Sequence, residues 1–133
     1  MKLNKVSLFA VAALAFASTS EAKLNVVTTL TDLRAIAAEV GGEFTSVESV
    51  AKGTQDPHYI EAKPSFMVKL SHADLVVSIG LDLEVGWLPS IVQGARNPKI
   101  VQGQKGFLEV GPQLEPLEVQ TGKIKWAEGD VHP

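Results

Sequence analysis

Short apolar runs alternate with segments of helical spacing from residue 24 to about residue 102. Strands are predicted where β-prone residues show no helical period, at 24–28, 44–50, 74–80 and 99–102. Helices are predicted where apolar residues recur three or four positions apart, at 31–40, 64–72 and 83–94. This alternation is typical of an α/β fold with an open parallel four-stranded sheet flanked by helices.

Residues at the segment ends favour the same division. Thr31 is suited to cap the first helix, and Gly41 and Gly42 follow its last apolar position. Pro64 fits the first turn of the second helix, because that turn needs no backbone donor. The apolar run at 74–80 is nearly continuous, which predicts a strand covered on both faces.

The pattern weakens after Gly103, where glycine and proline become frequent. Only 117–119 and 123–126 resemble strands. We therefore expect residues 103–133 to be irregular, which is unusual for so long a segment of a compact domain.

The amino terminus has the features of a secretory signal peptide. Lys2 and Lys5 precede an apolar run at 6–17, and Ser20-Glu21-Ala22 places small residues where a signal peptidase reads them. The apolar run is too short to cross a bilayer. The sequence thus predicts a signal peptide at 1–22, a mature chain at 23–133 and a periplasmic location.

Composition narrows the classes of function. The chain has no cysteine, which excludes thiol catalysis and cysteine-based zinc sites. A net charge of −3 with no basic cluster argues against nucleic acid as a partner. No nucleophile elbow, paired-histidine metalloprotease motif or phosphate loop occurs, so we do not predict an enzyme.

The segment 55–61, which follows the second predicted strand, is the most informative for chemistry. Ligands of open parallel sheets bind beyond the carboxyl ends of the strands, where this loop is expected. Pro57 stiffens the backbone next to His58, and a fixed imidazole suits metal ligation. On the pattern alone, a lone histidine in a loop is more often exposed to solvent or held by a hydrogen bond than bound to a metal.

Other polar and aromatic residues have simpler interpretations. His72, at the end of the second predicted helix, is expected to face solvent, and Trp87 is expected to pack in the core or an interface. Asp82 and Glu84 are assigned to the first turn of the third helix, where negative charge is favourable. Glu61 is either a partner of a metal ligand or a solvated carboxylate.

Several segments, in order, resemble the metal-binding solute receptors of ABC importers, the zinc and manganese group. The resemblance covers about residues 24–102. It is carried by Val-Val-Thr-Thr-Leu-Thr-Asp-Leu at 26–33, Val-Gly-Gly at 40–42, Asp-Pro-His-Tyr-Ile-Glu at 56–61, Pro64-Ser65, Lys-Leu-Ser-His-Ala-Asp-Leu-Val-Val at 69–77, Gly80-Leu81 and Leu83-Glu84.

The resemblance implies that His58 is the first metal ligand and that Zn²⁺ or Mn²⁺ is the transported ligand. It places the other ligands beyond this region, partly in a second lobe, and makes a membrane permease the partner. Gly129–Pro133 is similar to the lead-in before the second ligand, so His132 is only a weak candidate. The chain is then expected to be the amino-terminal lobe of a truncated receptor. No histidine lies between His72 and His132, which leaves zinc against manganese open.

Two other functions stay open on the sequence. An exported single-lobe interaction or adhesion module would bind its partner without metal and would be unaffected by His58→Ala. An exported hydrolase with a single metal would need more donors than three scattered histidines provide.

Overall fold

The computed structural model describes residues 22–115. Four parallel strands form one sheet in the order β2-β1-β3-β4. The strands and helices are β1 (Leu24–Thr28), α1 (Thr31–Gly41), β2 (Thr45–Ser49), α2 (Pro64–Ser71), β3 (Leu75–Ser78), α3 (Leu88–Ala95) and β4 (Phe107–Glu109). The predicted α/β class and four-stranded parallel sheet are confirmed. The signal peptide, the strand-like runs at 117–119 and 123–126, and His132 fall outside the described residues, apart from Ala22.

The strand order reverses its direction across the sheet between β1 and β3, which makes this position a topological switch point. In the sheet, β1 lies between β2 and β3, so that Val26 aligns with Val47 on one side and with Leu75 on the other. The chain passes from β1 to β2 in one direction and then crosses to β3 on the opposite side. Open α/β sheets form a crevice at the carboxyl end of such a switch point.

Both faces of the sheet are covered. Val26 and Val77 pack with Leu33 of α1, whereas Val27 and Val76 pack with Leu70, Ile91 and other residues of α2 and α3. Neighbouring residues of a strand point to opposite faces, so β1 and β3 each contribute to two apolar clusters. The prediction that the third strand is covered on both faces is therefore confirmed.

The predicted fourth strand at 99–102 is wrong. Pro98–Ile100 forms a 3-10 turn, and the strand that pairs with β3 is Phe107–Glu109, so the expectation that residues 103–133 are irregular is wrong at this strand. The turn is favoured by Asn97, whose side-chain oxygen accepts a hydrogen bond from the Lys99 backbone N–H at 3.1 Å. The Asn97 amide also donates to the carbonyls of the α2 end, which fixes the turn against that helix.

The predicted start of the third helix and the predicted cap of the first are also wrong. The third helix begins at Leu88 and not at residue 83, because residues 81–87 form turns that open with Leu81 and Asp82 at φ angles of 53° and 69°. Asp82 and Glu84 therefore do not lie in a first helical turn. Thr31 is the first helical residue and not the cap, and the cap position, Leu30, has no side-chain hydrogen bond. Pro64 does begin α2, as predicted.

Within residues 22–115, no helix has the length and apolar character needed to cross a membrane.

An ion pair at the amino edge of the sheet leads to a prediction about acid stability. Asp74 accepts hydrogen bonds from Lys99 Nζ at 2.7 Å and from the Asn25 backbone N–H at 3.1 Å. Chiefly the Lys99 bond, and then that from Asn25, holds the pKa of Asp74 below its ordinary value of 3.8. Because the pKa of Asp74 is lower in the folded than in the unfolded chain, its ionised carboxylate stabilises the fold. This contribution to the free energy of unfolding is complete above the unfolded pKa and is lost as the pH falls through the folded pKa.

We expect Asp74→Asn to lower the free energy of unfolding by about 1 kcal/mol at pH 7, and by less at pH 3. Urea unfolding of the full chain at both pH values measures the difference. Asp82→Asn, which changes an exposed carboxylate outside the helices and strands, is the matched control and should change little. An equal loss for Asp74→Asn at both pH values would contradict this account.

Candidate metal centre

The loop between β2 and α2 is fastened along the carboxyl edge of the sheet. After β2, the backbone N–H groups of Val50 and Ala51 donate to the carbonyls of Thr28 and Thr29, both at 2.9 Å. The side chains of Val50, Ala51 and Ile60 are buried. The polar part of the loop is thus anchored on both sides by apolar residues, and it presents His58 at the edge where ligands of such sheets bind.

A neighbouring carboxylate orients the His58 imidazole. Asp56 Oδ1 accepts a hydrogen bond from the His58 backbone N–H at 2.9 Å and lies 2.8 Å from His58 Nδ1. The bond from the backbone, followed by that from the ring, lowers the pKa of Asp56 from its ordinary value. A carboxylate can only accept, so Nδ1 carries the hydrogen, and in a neutral ring Nε2 is then the nitrogen with the lone pair.

Trp87 holds the same loop from the protein side. Its indole Nε1–H donates to the Pro57 carbonyl at 2.7 Å, and its side chain is only 2% exposed. The predicted packing of Trp87 is confirmed by this burial, whereas the hydrogen bond has no signal in the sequence pattern. It joins a residue of the β3–α3 connection to one thirty positions earlier.

Glu84 fills the crevice at the switch point. Its Oε1 accepts from Thr29 Oγ1 at 2.6 Å and from the Ile79 backbone N–H at 2.9 Å, and its Oε2 accepts from the Gly80 N–H at 2.9 Å. The side chain is buried, with the residue 3% exposed. Glu84 therefore binds the end of β1 to the end of β3, a role that the interpretation as a first-turn carboxylate missed.

The other sequence candidates lie away from His58 or at the surface. His72 is exposed at the opposite, amino edge, as predicted, where its carbonyl accepts from Asn25 Nδ2 at 3.4 Å. Glu61 is exposed and pairs with Lys63 Nζ at 3.6 Å, which favours the solvated carboxylate of the two interpretations.

Within the described range 22–115, no three histidine, cysteine, aspartate or glutamate side chains come together as a metal-binding group. His58 thus supplies a single imidazole donor at this edge. A cleft of about 660 Å³ opens between α3 and β4, lined largely by apolar residues such as Leu88, Val92 and Phe107. Gly80 and Glu84 line this cleft and His58 does not, so the cleft adjoins the switch point but not the imidazole.

Known proteins that are similar to this chain are components of metal uptake. The model of the family described as zinc-uptake complex component A, periplasmic, matches residues 26–132. The chain is 35% identical over 117 residues to the metal ABC transporter substrate-binding lipoprotein ScbA of Streptococcus cristatus, covering 86% of this chain and 36% of that protein. It is 33% identical over 133 residues to the manganese ABC transporter substrate-binding lipoprotein PsaA of Streptococcus anginosus, covering 98% of this chain and 41% of that protein.

Solved structures agree with this likeness. A crystal structure of ZnuA superposes with a TM-score of 0.62 at 25% identity, over 73% of this chain and 35% of that one. The manganese-bound periplasmic metal binding protein from Candidatus Liberibacter asiaticus shares the fold with a TM-score of 0.60 at 19% identity, over 76% of this chain and 35% of that one. The chain thus spans about two fifths or less of the length of these relatives.

Proposed function

We propose that this chain forms the amino-terminal lobe of an exported metal receptor. The proposal proceeds from its family, because the chain belongs to the family of periplasmic zinc-uptake complex component A. Such a receptor binds a divalent metal ion and passes it to the membrane permease of an ABC importer. The relatives described above carry names of this transport class. The metal is the cargo of the protein, and no reaction is required of it.

The arrangement of His58 and Asp56 carries the proposal. Histidines that bind metals usually donate their second ring N–H to a carboxylate or carbonyl, which fixes the tautomer and raises the basicity of the other nitrogen. Asp56 Oδ1 lies 2.8 Å from Nδ1 and also accepts the His58 backbone N–H. The ring is thus oriented so that Nε2 is the nitrogen offered to a metal ion, and we assign His58 as a ligand on this basis.

Zn²⁺ or Mn²⁺ is the proposed cargo. A neutral imidazole suits zinc, while manganese takes a larger share of oxygen donors, and sites built from histidine and carboxylates accommodate either ion. The family description names zinc, and the PsaA relative is named for manganese. A complete site needs further donors, and we infer that residues outside 22–115, including a second lobe, supply them. His132 stays a weak candidate among them.

Export follows from the same proposal. A signal peptide at 1–22 would direct the chain to the periplasm, where the permease can be reached. The adhesion module considered from the sequence has no observation in the structure that favours it.

Removing the His58 imidazole should weaken metal binding at least about tenfold. Even the loss of a residue that only hydrogen-bonds to a metal ligand lowers metal affinity by about that factor. The protein as recovered from the exported fraction is titrated with Zn²⁺ and with Mn²⁺ by calorimetry, and its intact mass reports its length and whether 1–22 have been removed. His58→Ala is compared with His72→Ala, which removes an exposed imidazole at the opposite edge.

The two variants separate the possible results. Weak binding by His58→Ala with unchanged binding by His72→Ala supports His58 as a ligand. Equal affinity of His58→Ala and the unsubstituted protein rejects that assignment. The absence of binding of either ion by an unsubstituted protein whose mass exceeds that of residues 23–133 rejects the proposed function itself.

A further inference from the structure

The peptide unit between Pro57 and His58 is held at both of its polar ends. Its carbonyl accepts the indole Nε1–H of Trp87 at 2.7 Å, and its N–H donates to Asp56 Oδ1 at 2.9 Å. Two hydrogen bonds on opposite sides of one planar unit fix its rotation about the chain. The plane of this unit sets the direction in which the His58 side chain leaves the backbone.

The two bonds differ in how firmly they are anchored. Asp56 belongs to the exposed loop itself, with a side chain that is 57% exposed. Trp87 is 2% exposed and belongs to the main apolar cluster, together with Leu70 and Ile91. Of these two bonds, the one from Trp87 therefore ties the peptide unit to the buried core of the lobe.

Trp87 is in turn positioned from the switch point of the sheet. The Glu84 carbonyl accepts the backbone N–H groups of Trp87 and Leu88 at 3.2 and 2.9 Å. The Glu84 side chain is bound to the ends of β1 and β3. A continuous series of hydrogen bonds thus runs from the sheet through Glu84 and Trp87 to the peptide unit that carries His58.

We propose that Trp87 is a positioning residue for His58, acting through the bond from its indole N–H to the Pro57 carbonyl. This inference rests on the proposed function, since His58 is the metal ligand only in that proposal. Packing by the indole ring alone would stabilise the lobe without fixing the imidazole. The two roles separate in Trp87→Phe, which keeps an aromatic ring in the core and removes the donor.

Nuclear magnetic resonance of the metal-free full chain tests the positioning directly. In Trp87→Phe we expect the imidazole signals of His58 to shift and broaden, while those of His72 stay unchanged. Ile91→Val, which trims a fully buried neighbour in the same cluster, is the matched control for loss of core packing. It should leave both histidines unchanged. Identical His58 signals in Trp87→Phe and Ile91→Val would overturn the proposal.

A second measurement needs no substitution at position 87 and applies if Trp87→Phe does not fold. The indole N–H of Trp87 and the backbone N–H of His58 should show hydrogen-exchange protection factors within about threefold of each other, because one opening of the loop exposes both. A Trp126→Phe variant assigns the two indole signals. A protected indole beside an unprotected His58 amide would count against the proposal.

Metal affinity tests whether the positioning of His58 by Trp87 matters for binding. We expect Trp87→Phe to bind Zn²⁺ or Mn²⁺ roughly threefold to tenfold more weakly, near the lower end for loss of a group that supports a ligand. Ile91→Val should bind as the unsubstituted protein does. If the exported protein has a mass above that of residues 23–133 and still binds no metal, while the His58 signals respond to Trp87→Phe, the proposed function fails and the positioning stands.

Discussion

Glu84→Ala should lower the free energy of unfolding by about 3 kcal/mol. The substitution leaves Thr29 Oγ1 and the N–H groups of Ile79 and Gly80 without the acceptor they now share. The donors of Thr29 and Gly80 then carry a desolvation cost because both residues are buried, and the N–H of the half-buried Ile79 carries a smaller one. The missing side chain also leaves a cavity between the ends of β1 and β3.

Two further variants make this measurement specific. Glu84→Gln keeps the volume and one acceptor oxygen but turns an NH₂ group toward backbone donors, so we expect a smaller loss of about 2 kcal/mol. Asp82→Asn changes an exposed carboxylate in the same connection and should stay within about 0.5 kcal/mol. Urea unfolding followed by circular dichroism measures all three. A loss below 1 kcal/mol for Glu84→Ala would show that the crevice admits water in place of the carboxylate.

Glu84 also shows where sequence reasoning stops. A carboxylate shortly after an apolar strand resembles the first turn of a helix, and nothing local distinguishes the two. Its burial depends on a hydroxyl from Thr29, 55 positions earlier, and on backbone donors at the end of β3. Only the pairing of β1 with β3 brings these groups together, and a linear pattern does not contain that pairing.

The candidate metal ligand was more accessible to prediction, because its orientation is local. Asp56 and His58 are two positions apart, and Pro57 restricts the backbone between them. The order of strands and helices up to α3 was equally accessible, since each element has enough residues to display its period. By contrast, the bond from Trp87 to the Pro57 carbonyl joins separate connections of the sheet and leaves no trace in the spacing of residues.

The position of the fourth strand was predicted wrongly for a different reason. Phe107–Glu109 has three residues, too few for an alternating pattern, whereas Lys99–Gln102 contains the apolar residues that a strand requires. What selects the true strand is the fit at its amino end. The Gly106 carbonyl accepts the Val76 backbone N–H at 2.8 Å, and the Gly106 backbone lies against the carbonyls of Asp74 and Lys99.

Gly106→Ala should therefore destabilise the lobe by about 3 kcal/mol, at the upper end for an overpacked site. A Cβ at this position would lie 2.7 Å from the Asp74 carbonyl oxygen and closer still to that of Lys99. Both neighbours are backbone atoms on different segments, so no side-chain rotation relieves the overlap. The chain has to move β4 away from β3, or to shift the turn at 98–100 that is held by Asn97.

The matched control for Gly106→Ala is Gly53→Ala, where the nearest atom, Thr31 Oγ1, would lie 3.8 Å from the new Cβ. It should be neutral or slightly stabilising, because alanine restricts the unfolded chain. Urea unfolding gives the size of each effect, and hydrogen exchange locates it. We expect the Val76 N–H to exchange faster in Gly106→Ala and at an unchanged rate in Gly53→Ala. Equal stability of the two variants would mean that close contact at Gly106 does not select β4, and that the pairing of Phe107–Glu109 with β3 must be fixed by the side chains of the strand.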